Sequence, residues 1–324
     1  MAGLIRDVDV LNEGFVPERL LYREGQLRMV AEALADGNVF VWGPTGTGKT
    51  CGAQAVLAEL KQDGMKGAYV NCWKHRTKFG TLAEALRGLD RFVLRQGVAY
   101  DEVAAKLRAI QGVVMLDEVD KLDEDGIIYD FLSAGVRLLL ISNDEHALGR
   151  LDGRICSRLA GLETIVFPRY RDDELVEILQ ARVRAGLAEG AVTDAQLRRL
   201  ADAAAGDCRV ALAYLRKAAE KAERTGAERV GDAAIAAIIA NGTVCGTAPL
   251  NAHQKLLLGV MGTETLQTGV LQQLFSEACK KQNLPPIQPR TYGKYMDQLV
   301  ENGLVEAKGE GRWRTYRVYS RPKK

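Results

Sequence analysis

The stretch "VFVWGPTGTGKTCGAQAVLAEL", Val39 to Leu60, decides the fold. Four apolar, β-prone residues lead directly into Gly43-Pro44-Thr45-Gly46-Thr47-Gly48-Lys49-Thr50, and a helical pattern follows. This is G-x-x-x-x-G-K-T in the strand, loop and helix setting that its chemistry requires. Backbone N–H groups of the loop and of the helix start would cradle phosphates, Lys49 would reach the β and γ oxygens, and the Thr50 hydroxyl would ligate magnesium. A bare glycine-rich turn is the competing reading, and the flanking strand and helix argue against it.

Working outward, "VVMLDEVDKL" (113–122) ends a buried strand in Asp117 and Glu118. Both would stand at the carboxyl edge, where α/β sheets bind ligands. Asp117 suits a magnesium carboxylate and Glu118 the base or orienter of an attacking water. The stretch "LLLISND" ends the next strand in Asn143, whose neutral amide suits the γ-phosphate or the lytic water; a strand-end Asn also suits a plain turn.

The runs "NVFVW" (38–42), "GAYVN" (67–71), "VVML" (113–116), "RLLLIS" (137–142) and "TIVF" (164–167) are continuous rather than alternating. They predict five strands of a parallel sheet covered on both faces by helical crossovers. Residues 1–168 therefore read as one α/β domain. Beyond Pro168, four helical patterns with polar starts and glycine stops predict a helical domain over 169–245. "GTAPLN" (246–251) is a linker signal. The third domain, 246–324, reads as helices over 250–261, 269–282 and 290–301, then two strands joined at "GEGR". That order is the winged form of the helix-turn-helix.

A chain of 324 residues has room for three such cores. The net charge is only +2, but from Leu250 onward twelve Lys and Arg face six Asp and Glu, leaving 32 against 36 in the remainder. Positive charge gathered at one end points to a polyanion, with a solvated basic tail as the alternative. The six cysteines form no C-x-x-C pair, so neither a zinc site nor a disulfide framework is expected. No signal peptide or membrane-length apolar run is visible, and an intracellular, cytoplasmic setting is the expectation.

Phosphate loop, acid pair and strand-end asparagine, in that order, resemble an AAA+ ATPase. The resemblance implies that Asn143 is a first sensor and that Arg209, in "GDCRVALAYLRKA" (206–218), is a second sensor whose guanidinium fork pairs with phosphate oxygens. In "LDGRICSRLAGLETIVFPRY" (151–170) it nominates Arg158 first and Arg154 second as an arginine finger. A finger acts in trans, which implies another subunit as partner. Both arginines suit equally well ion pairs within their own domain.

"FVPERLLYREGQLRMVAEAL" (15–34), "IVFPRYRDDELVEILQARV" (165–183) and "GDCRVALAYLRKAAEKA" (206–222) resemble the archaeal origin-recognition initiators, relatives of the eukaryotic origin-recognition subunits and of the cell-division-cycle loader. The likeness runs along nearly the whole chain. It places Pro17, Arg23 and Tyr170 with the nucleotide, and makes "LRGLDRFVLRQGVAYDEVAAKL" (86–107) the insertion that touches DNA from the ATPase domain. Arg87, Arg91 and Arg95 recur there at spacing four, which suits phosphate contacts and equally a solvated helix face. In the third domain Arg290, Thr291 and Lys294 would face the major groove, and Arg312 and Arg314 in the wing would reach phosphates or the minor groove. Trp313, Tyr316 and Tyr319 suit hairpin packing better than base stacking.

The expectation is an ATP-dependent DNA replication initiator that binds double-stranded origin DNA and helps recruit or load an MCM-type replicative helicase. ATP or ADP with Mg2+ would be its cofactors, slow hydrolysis its switch, and the nucleoid its place if the source is archaeal. Two other readings share these parts: a branch-migration type DNA motor, and an ATPase signalling switch whose winged domain docks protein.

Overall fold

The computed structural model describes residues 3–90, 98–108, 110–240, 252–261, 265–282, 284–285, 287–301, 305–309 and 315–318. The chain divides into two compact units, residues 1–240 and 241–324.

The first unit opens with a 3-10 turn (Asp9–Leu11) and α1 (Glu24–Asp36), and then alternates strand and helix. β1 (Val39–Trp42) feeds α2 (Lys49–Gln62), β2 (Gly67–Asn71) feeds α3 (Lys78–Asp90) and α4 (Tyr100–Leu107), and β3 (Val113–Asp117) feeds α5 (Gly126–Ser133). β4 (Arg137–Ser142), α6 (Gly153–Arg158) and β5 (Glu163–Val166) complete the series. All five strands pair in parallel in the order β2-β3-β4-β1-β5.

Alternation along each strand feeds two separate cores. Val39 and Val41 join Met115, Leu139 and Ile141 beneath α1 and α2. Phe40, Val114, Leu116, Leu138 and Leu140 face the other way, against α3, α4 and α5. β3 is buried at every position, as a strand covered on both faces must be. Each fully buried aliphatic side chain there contributes about 1.5–3 kcal/mol.

The order of the strands matters more for chemistry than their number. β4 lies between β1 and β3, so whatever follows β4 emerges between the phosphate loop after β1 and the acids after β3. Asn143 is that residue.

After β5 the chain forms four helices: α7 (Asp172–Gly186), α8 (Asp194–Ala204), α9 (Cys208–Arg224) and α10 (Asp232–Ala240). Their starts are written locally. Thr193 and Gln196 form a reciprocal capping box on α8, and the Asp207 carboxylate accepts from the backbone N–H of Arg209 and Val210 at 2.9 and 3.3 Å to start α9. Among the described residues no helix is long and apolar enough to cross a membrane. Cys51, Cys72, Cys156, Cys208 and Cys279 are free thiols, and Cys245 lies outside the described residues.

The second unit holds α11 (Ala252–Met261), β6 (Thr265–Gln267), α12 (Thr268–Lys281), α13 (Pro289–Glu301), β7 (Val305–Lys308) and β8 (Thr315–Val318). Leu257, Met261, Leu271, Phe275, Met296 and Leu299 are among the residues of its core. The hairpin pairs Lys308 with Thr315. The sequence predicts two strands here, and the structure adds a third: β6 pairs antiparallel with β8. Three residues carry too short a pattern to announce a strand.

Candidate functional site: a phosphate cradle roofed by the helical segment

The loop between β1 and α2 is bent by glycines. Gly46 (φ 73) and Gly48 (φ 88) occupy the left-handed region, where a side chain is strained. The turn leaves the start of α2 pointing its backbone N–H groups into a cavity of about 270 Å³. Lys49 is buried and donates to the Gly43 and Pro44 carbonyls at 2.7 Å each and to Asn143 Oδ1 at 2.8 Å. Thr47 Oγ1 donates to the Pro44 carbonyl at 2.9 Å, tightening the loop on itself.

Across the cavity, Thr50 Oγ1 donates to Asp117 Oδ2 at 2.8 Å. Tyr69 Oη donates to the same oxygen at 3.2 Å, and the Glu118 backbone N–H to Asp117 Oδ1 at 3.0 Å. Glu118 itself sits in the left-handed region (φ 55), a conformation that costs a non-glycine residue about 1–3 kcal/mol and is typical of functional sites. It lines the same cavity.

Burial sets the charge states. It pushes the Lys49 ammonium down to about 8 against the opposing pull of Asp117, and it raises the Asp117 carboxyl. Glu118 is raised by burial first and then by the neighbouring carboxylates Asp117 and Asp120. One site thus destabilises a cation and two anions together, an arrangement suited to a polyanion accompanied by a metal ion.

The helical segment closes the cradle from above. The Cys208 N–H donates to the Gly46 carbonyl at 3.0 Å, and Thr45 Oγ1 donates to Asp207 Oδ2 at 3.3 Å. A Cβ at Gly46 would overlap Asp207 Oδ1. Arg209, the second residue of α9, lines the cavity with its side chain half exposed and only a 4.0 Å contact to Asp207. Its guanidinium can therefore turn to a phosphate without breaking a strong pair.

Lys49, Thr50, Asp117, Glu118, Asn143, Tyr170 and Arg209 all line this one cavity. Pro17 and Arg23 are not among its lining residues. Arg23 is buried beneath it, donating to the Thr47 carbonyl at 3.0 Å, to Pro168 at 2.7 Å and to Tyr22 at 2.8 Å, with its guanidinium 3.7 Å from the Tyr170 ring centre. Any effect of Arg23 on a ligand passes through the loop that it braces. Arg158 donates to Tyr129 Oη at 3.1 Å and lies 4.4 Å over that ring, while Arg154 pairs with Asp152 at 3.0 Å. Both are exposed on α6, away from the cavity. Arg87 is exposed and pairs with Glu84 one turn back; Arg91 and Arg95 lie outside the described residues.

In the second unit Arg290 and Lys294 are exposed one turn apart on α13 and Thr291 is half-buried, while Tyr292, Met296 and Leu299 turn inward. Arg312 and Arg314 lie outside the described residues. Sequence reasoning named none of several further wall residues, among them Glu13, Gly14, Phe15, Val16 and Leu20 before α1, Gln54 on α2, Arg182 on α7, and Leu212 on α9. It also missed Tyr69 and the loop contact of Asp207, although an Asp immediately before a helix is a visible capping signal.

A phosphate loop with Asn143 between its lysine and its acids, roofed by a four-helix segment, defines the chain as a nucleotide-binding AAA+ protein. Residues 33–149 match the family described as AAA domain, and residues 176–237 match the Cdc6 AAA+ ATPase-type lid domain. The chain is 36% identical to ORC1-type DNA replication protein 9 of Halobacterium salinarum over 97% of its own length and 93% of that protein's. It is also similar to the Aeropyrum pernix ORC1 protein, solved in complex with DNA, at 29% identity and a TM-score of 0.65, covering 98% of this chain and 94% of that one. Likeness to the ADPNP-ADP complexes of the Aeropyrum pernix ORC2 protein, at 22% identity and a TM-score of 0.67 with the same coverage, is one of fold. The chain belongs to the ORC1-type DNA replication protein family.

Proposed function

We propose that this protein is an ATP-regulated replication initiator that grips double-stranded origin DNA and helps recruit or load an MCM-type replicative helicase. The observation that carries the ATP half is the cavity in which Lys49 at the start of α2 and Asn143 just after β4 meet Arg209 from the lid. Thr50 and Asp117 are two oxygen ligands already 2.8 Å apart, the donor type a hard dication prefers, and they would hold Mg2+. That ion, when bound, would neutralise charge on the phosphates. Glu118, with its raised carboxyl, is the group placed to orient or deprotonate a water, and Asn143 to fix it. Phosphates bridging Lys49 and Arg209 hold sheet and lid together, and loss of the γ-phosphate loosens that bridge, so slow hydrolysis acts as a switch.

For DNA, the support is the family, the complex formed by the Aeropyrum pernix relative, and the basic third domain. Three helices with an antiparallel sheet suit a winged helix, with α13 as the reading helix and Arg290, Thr291 and Lys294 on it toward the groove. Arg312 and Arg314 would grip from the wing, and Arg87, Arg91 and Arg95 from the first unit. Arg158, with Arg154 as second choice, would serve a neighbouring initiator's nucleotide from the exposed face of α6. We place the protein in the cytoplasm at the nucleoid.

The deciding experiment is binding to fragments of its own genome across a salt series, with ATP and then ADP. Discrete tight sites beside a replication start are expected. Uniform binding governed by salt alone would favour the DNA motor, and no binding the signalling switch.

A further inference from the structure

The phosphate loop fixes one end of the cavity. The same cavity is also lined by Phe15, Val16, Leu20 and Leu212, an apolar slot suited to a flat base. Three of these side chains belong to the segment that precedes α1, and the question is what holds that segment in place.

Among the described residues, every hydrogen bond that joins residues 4–15 to the rest of the protein ends on the lid. The N–H groups of Arg6 and Asp7 donate to the Gly186 carbonyl at 2.9 and 3.1 Å, and the Ala188 N–H donates to Leu4 at 2.9 Å. The Ile5 N–H donates to Glu223 at 3.1 Å, and Arg216 donates to Asn12. Gly186 is required by this contact, since a Cβ there would stand 2.9 Å from the Asp7 carbonyl.

Arg182 completes the attachment at the cavity. It is 8% exposed, on α7. Nη1 donates to the Val10 carbonyl at 3.2 Å, Nη2 to the Phe15 carbonyl at 3.2 Å, and the guanidinium carbon lies 4.7 Å from the Phe15 ring centre. One planar fork therefore staples both ends of the bend from residue 10 to 15 and backs the ring at the base slot. A lysine offers a single compact charge and cannot reproduce that grip.

We propose that Arg182 is a positioning residue for nucleotide binding: it holds residues 10–15 as a strap over the base end of the cavity and fastens that strap to the lid. This rests on reading the cavity as a nucleotide site. Eight residues beyond Phe15, Arg23 fastens the continuing chain to the phosphate loop instead. A bound nucleotide is thus held at its base by the lid side and at its phosphates by the sheet side.

The test compares ADP with inorganic tripolyphosphate, which has no base, on the full chain by calorimetry. Arg182→Met should weaken ADP about tenfold while changing tripolyphosphate affinity less than about twofold, since the phosphate cradle is intact. Arg182→Lys should recover only part of the loss. Phe15→Ala, which removes a partly exposed ring and leaves the fork in place, should show the same selectivity and decides the matter if the buried substitution does not fold. Equal losses for both ligands, or unchanged ADP affinity in both folded variants, would overturn the assignment of Arg182 and leave the nucleotide reading standing. Failure of the unaltered protein to bind either ligand would overturn both.

Discussion

Lys49 Nζ donates to Asn143 Oδ1 at 2.8 Å, a bond that joins the helix after β1 to the end of β4. With the Gly43 and Pro44 carbonyls this accounts for all three ammonium hydrogens. A phosphate oxygen that takes Lys49 must replace one of these acceptors, and Asn143, on a side chain that can rotate, is the one that yields. Lys49→Ala should lower ADP affinity about 100-fold, from two charge-assisted bonds of about 1.4 kcal/mol each. DNA binding by the second unit should persist; parallel titrations with ADP and duplex DNA check this, and equal loss of both would refute the division of labour.

Proton linkage provides a second check on Lys49. Burial lowers this group to about 8, so it is charged below that pH and neutral above it in the protein alone. A neighbouring phosphate favours the charged form and raises it again. At pH 8.5, ADP binding without magnesium should therefore take up about three quarters of a proton through this lysine, and at pH 6.5 about none. Calorimetry in buffers of different ionisation heat measures the uptake, and net release at pH 8.5 would contradict the assignment.

Gly46 and Asp207 constrain each other. Gly46→Ala places a side chain in the left-handed region, which costs about 1–2 kcal/mol, and drives it into the Asp207 carboxylate. Thermal unfolding should move down by about 3–8 °C. Adding Asp207→Gly removes the overlap and, because glycine is a tolerable cap, should return part of the loss. A double variant less stable than Gly46→Ala alone would show that the contact is not the cause.

Arg209 should separate chemistry from folding. Its side chain is half exposed and only loosely paired, so Arg209→Ala should leave stability within about 0.5 kcal/mol. Single-turnover ATP hydrolysis should fall by about 100-fold, the scale for losing one preorganised donor. Arg209→Lys should recover little, for want of the fork.

On DNA, the two exposed cations of α13 should both report on sequence reading. Arg290→Ala and Lys294→Ala should each cost about 1–3 kcal/mol at a preferred site and relax the choice of sequence, whereas loss of a phosphate contact alone would weaken all duplexes alike and lower the salt slope by about one. Competition assays at several salt concentrations distinguish the two outcomes. Uniform weakening by both variants would remove α13 from the reading role.

How much of this was written in the sequence depends on the range of the interaction. Gly43 to Thr50 and Asp117 are legible because strand, loop and acid are local patterns whose side chains are themselves the chemistry. The five strands are legible because β3 and β4 are buried on both faces and therefore continuously apolar. Arg182 is not legible. Its partners are the carbonyls of Val10 and Phe15, about 170 residues away in the chain, and a carbonyl carries no side-chain signature. For the same reason Arg23 can be marked from sequence as belonging to the site, but not as a brace beneath it. Tyr69 reaches Asp117 only because β2 and β3 are paired in register, which no pattern within β2 reveals.

The bonds of Arg23 to the carbonyls of Tyr22 and Pro168 have a mechanical meaning. With its first residues fastened to the lid, the chain passes between lid side and sheet side twice, once within 16–22 and once just beyond Pro168. Two bodies joined by two strands of covalent chain resemble a door on two hinges, free to swing about the line through both and restrained in every other direction. One guanidinium holds both crossing points together, so the two hinges share a pin. Any swing about that pin has also to part the bond from the Cys208 N–H to the Gly46 carbonyl, which ties the lid to the phosphate loop directly.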